Sequence, residues 1–452
     1  MDTALATSYQ SAVESLLSLA PELWTQHGAK PRRKFDLEHM RALIEALGHP
    51  ERRFPSIIIA GTNGKGSTSA MLASILRQAG YRIGLYTSPH LMRVNERIAI
   101  NGEAISDAEF AEMHSRIEEM SQALMQEGKL EQHPSFFETL TAMAFEHFAS
   151  VAVDIAVLEV GIGGRLDATN MADPLLSIVT DISLDHTEWL GNTLSEIARE
   201  KAGIIRVNGM LVTLPQHPEV NDAIGEAVRA LGARMVNAST YVPPITPAAE
   251  AFEAESGGAP HNRYLLEVLG EQVTIDSPLA GRHQLRNAAL AIAAAVELKQ
   301  SFGYQISTQQ IAAGVASTRW PGRFQVIHGS PEVVLDVAHN PDGAWALRSA
   351  LTSRYHGRPV TIIFGAMRDK AIADISEILF PLGEEVIATR VNSPRAASVE
   401  EIRELTSHVG TPISSADSLQ QAIDVARQLK RPIVITGSVY LVGGALEMLA
   451  GR

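Results

Sequence analysis

Short, mainly apolar runs alternate with segments of helical periodicity through the first half of the chain. The apolar runs lie at 57–60, 81–86, 153–158, 176–182 and 210–214. Between them, apolar residues recur at helical spacing, as in 69–78, 106–126 and 195–202, and two further helical segments precede them at 11–19 and 36–47. Continuous apolar runs are typical of strands buried on both faces, and the helical segments are typical of the crossovers between parallel strands. From about residue 57 to 231 the pattern therefore predicts a parallel sheet covered by helices.

The run at 57–60 leads into a glycine-rich loop over 61–68, with the sequence Gly-Thr-Asn-Gly-Lys-Gly-Ser-Thr. Glycines let backbone N–H groups converge on an anion, the following helix points its positive end at the same place, and Lys65 adds a charge. The loop is a shortened variant of the P-loop, since Ile59 stands where the first glycine belongs and Gly66 where the Ser or Thr belongs. An ordinary strand-to-helix turn is the alternative, but Lys65 and the hydroxyl of Ser67 favour a nucleotide-phosphate site.

The second half of the chain repeats the strand and helix alternation on a smaller scale. The segment 243–260 is rich in Pro, Ala, Glu and Gly and predicts an exposed loop, and 264–278 predicts a hairpin. After an Ala-rich helix that ends near 299, strand patterns recur at 333–336, 360–364, 385–391 and 433–438. The predicted fold is α/β, with a parallel-sheet P-loop ATPase domain over 1–300 followed by a smaller Rossmann-like C-terminal domain over 301–452.

Composition narrows the classes of function. The chain of 452 residues carries a net charge of −13 with no compensating basic block, which disfavours nucleic-acid binding. Cysteine is absent, so disulfides, thiolate metal sites and cysteine nucleophiles are excluded, and any metal must be held by oxygen or nitrogen. No stretch reaches membrane-spanning length and the first residues lack the features of a signal peptide, so we expect a cytoplasmic protein without a membrane partner.

Polar side chains follow several of the predicted strands. Lys65, Ser88, Glu159 and His186 come after successive strands, whose carboxyl ends meet at one edge of a parallel sheet. Oxygen and imidazole ligands without a thiolate suit Mg²⁺ that bridges ATP phosphates. The acceptor of the phosphoryl group stays open on this reasoning: a carboxylate would give an acyl phosphate and then an amide, a hydroxyl would give a kinase, and water a switch ATPase.

A set of sequence motifs is distributed along nearly the whole chain. They are the loop at 61–67, Thr-Ser-Pro-His-Leu at 87–91, Glu-Val-Gly-Ile-Gly-Gly-Arg-Leu-Asp-Ala-Thr-Asn at 159–170, Leu-Asp-His-Thr at 184–187, Glu-Lys-Ala-Gly-Ile at 200–204, Pro-Gly-Arg-Phe at 321–324 and Asp-Val-Ala-His-Asn-Pro at 336–341. In order and spacing they resemble those of the folylpolyglutamate and dihydrofolate synthases of the Mur ligase superfamily. The resemblance implies an ATP-dependent carboxylate-amine ligase that adds L-glutamate to dihydropteroate or to a folate through an acyl phosphate.

The resemblance also implies roles in ATP and metal binding. It places ATP contacts at Thr62, Asn63, Gly64, Lys65, Asn287, Arg323 and Asp336. It implies two Mg²⁺ sites, the first held by Ser88 and Glu159 and the second by His186 and Lys201, with Lys201 carbamylated so that it becomes an anionic ligand. Lys65, Glu159, His186 and Lys201 would then be the catalytic residues, and the family is often monomeric.

The pterin-binding residues follow from the resemblance alone. They would be Lys34, Phe35, Asp36, Ser135, Phe136, Phe137, Glu138, Leu166, Asp167 and Ala168. Judged by residue type, the basic segment 30–34 indicates a solvated loop or an attractor for an anionic substrate, and adjacent aromatics at a helix start are typical of core packing. The resemblance favours the substrate-binding interpretation in both places.

Two other functions are alternatives to a folate-type ligase. A Mur-type cell-wall ligase would share the phosphate loop but join amino acids to a nucleotide-linked sugar acid. The motifs at 66–67, 88–91 and 321–324 disfavour it. A nucleotide-switch ATPase without ligase chemistry is the alternative from another class, and ATP turnover independent of glutamate would identify it.

Overall fold

An eight-stranded sheet forms the centre of the first half of the chain. In the computed structural model, which describes residues 3–19, 37–244 and 260–450, six of its strands are parallel and two edge strands are antiparallel. In their order across the sheet the strands are β4 (Glu103–Ala104), β3 (Ile98–Ile100), β2 (Ile83–Tyr86), β5 (Ile155–Glu159), β1 (Ser56–Ala60), β6 (Leu176–Val179), β7 (Met210–Thr213) and β8 (Arg234–Asn237).

Helices connect and cover these strands. They are α1 (Thr3–Ser18), α2 (Glu38–Ala46), α3 (Lys65–Gln78), α4 (Asp107–Gln126), α5 (Phe136–Ser150), α6 (Thr187–Leu190), α7 (Leu194–Ala202) and α8 (Pro218–Leu231). Every residue of β1, β2, β5, β6 and β7 is buried. Burial on both faces is what the continuous apolar runs predict, because a parallel sheet covered by crossover helices has no solvated face.

Several helices begin with the same reciprocal cap. In α4, α5 and α7 a Ser or Thr side chain accepts from the backbone N–H three residues later, and the Glu at that position accepts from the N–H of the capping residue. The pairs are Ser106 with Glu109, Ser135 with Glu138, and Thr193 with Glu196. These boxes fix where each helix starts.

The second half of the chain adds a hairpin and a six-stranded sheet. The hairpin consists of β9 (Asn262–Val268) and β10 (Glu271–Ser277). In their order across the sheet the other strands are β11 (Gln325–Ile327), β12 (Val333–Leu335), β16 (Ile433–Thr436), β13 (Val360–Phe364), β14 (Gly383–Thr389) and β15 (Ile413–Ala416), parallel except for β11. The helices are α9 (Arg282–Phe302), α10 (Thr308–Ala316), α11 (Pro341–Tyr355), α12 (Ile372–Leu379), α13 (Val399–Leu405), α14 (Leu419–Gln428) and α15 (Val439–Ala450). A fourth capping box, Ser398 with Glu401, opens α13.

Two compact units divide the chain. The first comprises Met1–His90, Val94–Tyr241 and Ala289–Gly314, and the second comprises Leu91–Arg93, Val242–Ala288 and Val315–Arg452. Each contains one of the parallel sheets, so the predicted α/β fold class is confirmed. Among the described residues, no helix has both the length and the apolar character needed to cross a membrane.

Candidate active site

The glycine-rich loop leaves the central strand of the first sheet. β1 lies between β5 and β6, and α3 begins at Lys65, within the segment 61–68. Gly61 and Gly64 have φ angles of 152° and 91°. A Cβ atom on Gly61 would lie 1.8 Å from Oγ1 of Thr180, so no larger residue fits there. The loop therefore has the strand-to-helix geometry that a phosphate site requires.

The segment after β6 holds the next two residues of the loop in place. The backbone N–H groups of Thr62 and Asn63 donate to the carbonyl of Asp181 at 2.9 and 3.1 Å. Thr62 Oγ1 donates to the carbonyl of Ser183 and accepts from its N–H, both at 3.1 Å. Asn63 Nδ2 donates to Ser183 Oγ at 3.2 Å. The sequence analysis missed Ser183, although its position just past a buried strand was the available signal.

Two lysines meet at one carbonyl of this loop. Lys65 Nζ donates to the carbonyls of Gly61 and Thr62 at 3.1 and 3.2 Å, and Lys201 Nζ donates to that of Gly61 at 2.7 Å. Lys201 is 4% exposed. Burial, together with the charge of Lys65, lowers the pKa of Lys201 to about 7, against the opposing effect of two nearby aspartates. The lowered pKa favours the uncharged amine, which is the form that reacts with CO₂ to give a carbamate.

Glu159 and Ser88 form a second pair at the same edge of the sheet. Glu159 ends β5, is 3% exposed, and accepts from the backbone N–H of Ser88 at 3.1 Å through Oε2. His186 follows β6 in the left-handed region, with φ 52°. The backbone N–H of His186 donates to Asp185 Oδ1 at 2.9 Å, and the ring Nε2 of His186 lies 3.9 Å from Asp185 Oδ2. Asp185 therefore orients His186, whereas the sequence analysis named Asp185 within the motif at 184–187 and gave it no role.

The donors at this edge fit a magnesium ion by their chemistry. Within the described part of the chain, no three His, Asp or Glu side chains form a group that could hold a metal. The set implied by the resemblance does not require such a group, because it adds the hydroxyl of Ser88 and a carbamate on Lys201 to Glu159 and His186. Oxygen-rich sets of this kind suit Mg²⁺.

The residues at the start of α5 have structural partners. Ser135 and Glu138 form its capping box, with Ser135 N donating to Glu138 Oε2 at 2.8 Å. Phe137 is 7% exposed and packs against the ring of Tyr86 at 5.8 Å. Phe136 is partly exposed and lies 5.2 Å from the guanidinium carbon of Arg97. Of this group, Phe136 is the side chain most accessible to a ligand.

The glycine-rich segment after β5 is shaped by Asp167. Asp167 Oδ2 accepts from the N–H groups of Gly161 and Ile162 at 2.9 and 3.1 Å, and Oδ1 accepts from the N–H of Thr169 at 3.0 Å. Burial raises the pKa of Asp167, while these hydrogen bonds act in the opposite direction. Both oxygens are thus used within the loop.

The other predicted substrate positions divide by exposure. Leu166 is half-buried and Ala168 is 3% exposed. Lys34, Phe35 and Asp36 lie outside the described residues.

The second unit brings together two of the predicted ATP contacts. Asp336, directly after β12, is 7% exposed and accepts from the N–H groups of Phe324 and Ala338 at 2.8 and 2.9 Å. Burial raises the pKa of Asp336, and the neighbouring charge of Arg323 opposes that rise. Asn287, in α9, is 3% exposed, and its Nδ2 donates to Gln284 Oε1 at 3.0 Å.

Two family models match the chain. The model described as the Mur ligase middle domain matches residues 59–295, and the one described as the Mur ligase glutamate ligase domain matches residues 322–445. Together they cover both parallel sheets.

Curated relatives match over most of their length. The chain is 33% identical over 428 residues to the dihydrofolate synthase/folylpolyglutamate synthase of Bacillus subtilis (strain 168), covering 93% of this chain and 96% of the relative. It is 34% identical over 491 residues to the protein of the same name from Mycobacterium tuberculosis, covering 100% and 98%.

Solved structures match the whole fold. Mycobacterium tuberculosis folylpolyglutamate synthase, complexed with ADP and AMPPCP, is 33% identical with a TM-score of 0.87, and 99% of each chain is covered. A folylpolyglutamate synthase (FPGS) in complex with AMPPCP and folate is 32% identical with a TM-score of 0.80, covering 98% of this chain and 99% of the other.

Proposed function

The chain belongs to the Mur ligase family of folylpolyglutamate and dihydrofolate synthases, and from that premise we propose how its residues perform the reaction. The enzyme is an ATP-dependent ligase that adds glutamate to folates. The observation that carries the residue assignment is the meeting of Lys65 and Lys201 on the carbonyl of Gly61 beside the phosphate loop. That contact places Lys65, the proposed phosphate-binding charge, and Lys201, the proposed carbamate, at the same point of the phosphate loop.

The proposed reaction has two steps. An oxygen of the substrate carboxylate attacks the γ-phosphorus of ATP, which forms an acyl phosphate and releases ADP. The amine of L-glutamate then attacks the acyl carbon, the phosphate leaves, and an amide forms with loss of the amine proton. The loop residues Thr62, Asn63, Gly64 and Lys65 hold the phosphates, and Lys65 neutralises the charge that builds up during transfer.

The metal sites are the part of the proposal that goes beyond the family assignment. We assign one Mg²⁺ to Ser88 and Glu159 and a second to His186 and a carbamylated Lys201. When bound there, such ions would neutralise phosphate charge and help to orient the phosphates. The buried carboxylate of Glu159 supports the first site, and the lowered pKa of Lys201 supports the second.

The remaining assignments follow the family pattern residue by residue. Asn287, Arg323 and Asp336 contact ATP. The folate-type substrate contacts residues 34–36, 135–138 and 166–168. We assign ATP binding to a domain over 1–300 and glutamate ligation to a domain over 301–452. The matches of the two family models to 59–295 and 322–445 support that division.

We also assign the enzyme to the cytoplasm as a monomer. Its substrates, ATP and L-glutamate, are abundant there. All of the proposed ligands come from a single chain.

One assay with one variant tests the function. ADP formation is measured with dihydropteroate, tetrahydrofolate or a nucleotide-linked sugar acid, each with and without L-glutamate. We expect turnover that needs both a folate-type acceptor and glutamate. Lys65→Ala lowers it about a hundredfold or more because a phosphate-binding charge is lost. Lys129→Ala, at a side chain that is 64% exposed, is the matched control.

Each contrary outcome identifies an alternative. Turnover only with the sugar acid would indicate a cell-wall ligase, and turnover without glutamate would indicate a switch ATPase. Full activity of Lys65→Ala would remove the phosphate-loop assignment.

A further inference from the structure

Arg206 uses its whole guanidinium group to hold one loop. Nη1 donates to Asn170 Oδ1 at 2.9 Å and to the carbonyl of Ile204 at 3.1 Å. Nη2 donates to the carbonyls of Asn170 at 3.0 Å and Ala172 at 2.5 Å. Nε lies 3.3 Å from Asp173 Oδ1. Arg206 therefore joins the segment 170–173 to the chain that follows α7.

Asn170 completes the junction from the other side. Its Nδ2 donates to the carbonyls of Arg165 and Gly203 at 3.0 and 3.1 Å, while its Oδ1 accepts from Arg206. Its backbone N–H donates to the carbonyl of Asp167 at 2.9 Å. One amide group thus connects the loop, the end of α7 and Arg206.

The two segments also pack backbone against backbone. A Cβ atom on Gly164 would lie 2.9 Å from the carbonyl oxygens of both Glu200 and Lys201. A Cβ atom on Gly203 would lie 2.6 Å from Cα of Arg165. Arg165 N donates to the carbonyl of Glu200 at 2.9 Å. Glycine at both positions permits this approach, and any added side chain would separate the segments.

We propose that Asn170 and Arg206 are positioning residues that fix the loop 161–173 relative to Lys201 and the phosphate loop. The helix turn they hold carries Lys201, whose Nζ donates to the carbonyl of Gly61 at 2.7 Å. The loop they hold carries Leu166, Asp167 and Ala168, the assigned folate contacts. The inference rests on the proposed function. Through this junction, the residues assigned to the folate-type substrate are held in a fixed position relative to those assigned to the phosphates.

The chemistry of the junction demands these residue types. Arginine presents planar donors in a fixed fork, whereas lysine has one ammonium group that cannot reach carbonyls on both sides of the fork. Aspartate has the shape of asparagine but would place a carboxylate against the carbonyl oxygens of Arg165 and Gly203. Arg206→Lys and Asn170→Asp therefore disrupt the junction with little change in side-chain volume.

Steady-state kinetics of these two variants test the proposal. kcat and KM are measured for the folate-type substrate and for ATP, and rates are normalised to the number of AMPPCP-binding sites, so that unfolded protein does not count. We expect kcat/KM for the folate-type substrate to fall about tenfold or more, because small displacements of a reacting group are costly. KM for ATP should change less than KM for the folate-type substrate, since Lys65 and the hydrogen bonds of Thr62 and Asn63 with Asp181 lie outside the junction.

Two further variants make the test decisive. Arg199→Gln is the control, since Arg199 lies in the same helix, α7, and pairs with Glu226 at the exposed surface. Asn170→Ser is a milder change for use if Arg206→Lys fails to fold, and it should show the same split between substrates.

The outcomes separate this inference from the proposed function. Variants that lose thermal stability but keep the parent's kcat/KM for the folate-type substrate per binding site would overturn the positioning role alone. A parent enzyme without glutamate-dependent turnover would overturn the proposed function and this role with it.

Discussion

At the scale of single residues, Glu159 is a carboxylate at the end of a buried strand, at the edge of the sheet. Its side chain is 3% exposed, and one oxygen is used by the N–H of Ser88. A buried carboxylate is costly unless it is compensated by hydrogen bonds and a cation. A metal ion at this position would provide that compensation.

Replacement of Glu159 by Gln tests the first metal site. The variant keeps an acceptor for the Ser88 N–H but loses the charge, so the Mg²⁺ concentration for half-maximal ligation should rise about tenfold or more. Mg²⁺ titrations of activity measure this, with Glu226→Gln as the control at a side chain that is 58% exposed. Superimposable titration curves would reject the ligand role.

A second residue-scale prediction concerns His114 in α4. His114 is 6% exposed, and its Nε2 has no hydrogen-bond partner among the described residues. Burial lowers the pKa of His114, and His133 acts in the same direction against the effect of Glu118. The unfolded chain therefore takes up a proton as the pH falls through about 6.5 while the folded protein does not, and stability decreases.

His114→Gln should reduce that loss of stability. The melting temperature is measured at pH 7.5 and at pH 5.5, and the fall between them should be smaller in the variant than in the parent. His408→Gln, at an exposed histidine, is the control. An equal fall in parent and His114→Gln would show that His114 does not contribute.

At the scale of elements, the apolar runs located the central strands of both sheets, and strands at or near the sheet edges escaped prediction. The runs at 57–60 and 210–214 correspond to β1 and β7, both fully buried. β4 is exposed throughout and β8 is largely exposed, so neither has an apolar run to reveal it. Contacts such as Arg206 with Asn170 escaped as well, because they join residues that only the folded backbone brings together.

The capping box of α5 permits an element-scale prediction. Ser135→Ala should lower the free energy of unfolding by about 1 kcal/mol through loss of the cap. Ser106→Ala removes the equivalent cap of α4 and is the matched comparison. If Ser135 also contacts the folate-type substrate, only Ser135→Ala raises KM for that substrate. Equal KM values in the two variants would leave Ser135 with a capping role alone.

At the scale of the whole molecule, chain order and spatial grouping differ. The alternation of strands and helices was sufficient to predict both parallel sheets, and the family motifs indicated the ligase. The compact units, however, exchange segments: Val242–Ala288 groups with the second sheet and Ala289–Gly314 with the first. Local patterns carry no information on such grouping, because it depends on packing between residues far apart in sequence.

The proposed monomer is a whole-molecule prediction. Light scattering coupled to size-exclusion chromatography should give a mass near 48.7 kDa at all loading concentrations, with or without AMPPCP. A mass of about twice that value, independent of dilution, would contradict it and indicate a stable dimer.

The repeated capping boxes bear on how the protein tolerates acid. Hydrogen bonds within the boxes lower the pKa of Glu109 and Glu401, and hydrogen bonds from the backbone N–H of Asn192 and from Thr193 lower the pKa of Glu196. Their stabilising effect is present above the ordinary pKa of glutamate and disappears as the pH falls through the lowered values. Three helices in different parts of the chain would then fray from their first turns, while the buried strands keep their hydrogen bonds. Acid damage in this enzyme should therefore begin at the helix starts and reach the sheets last.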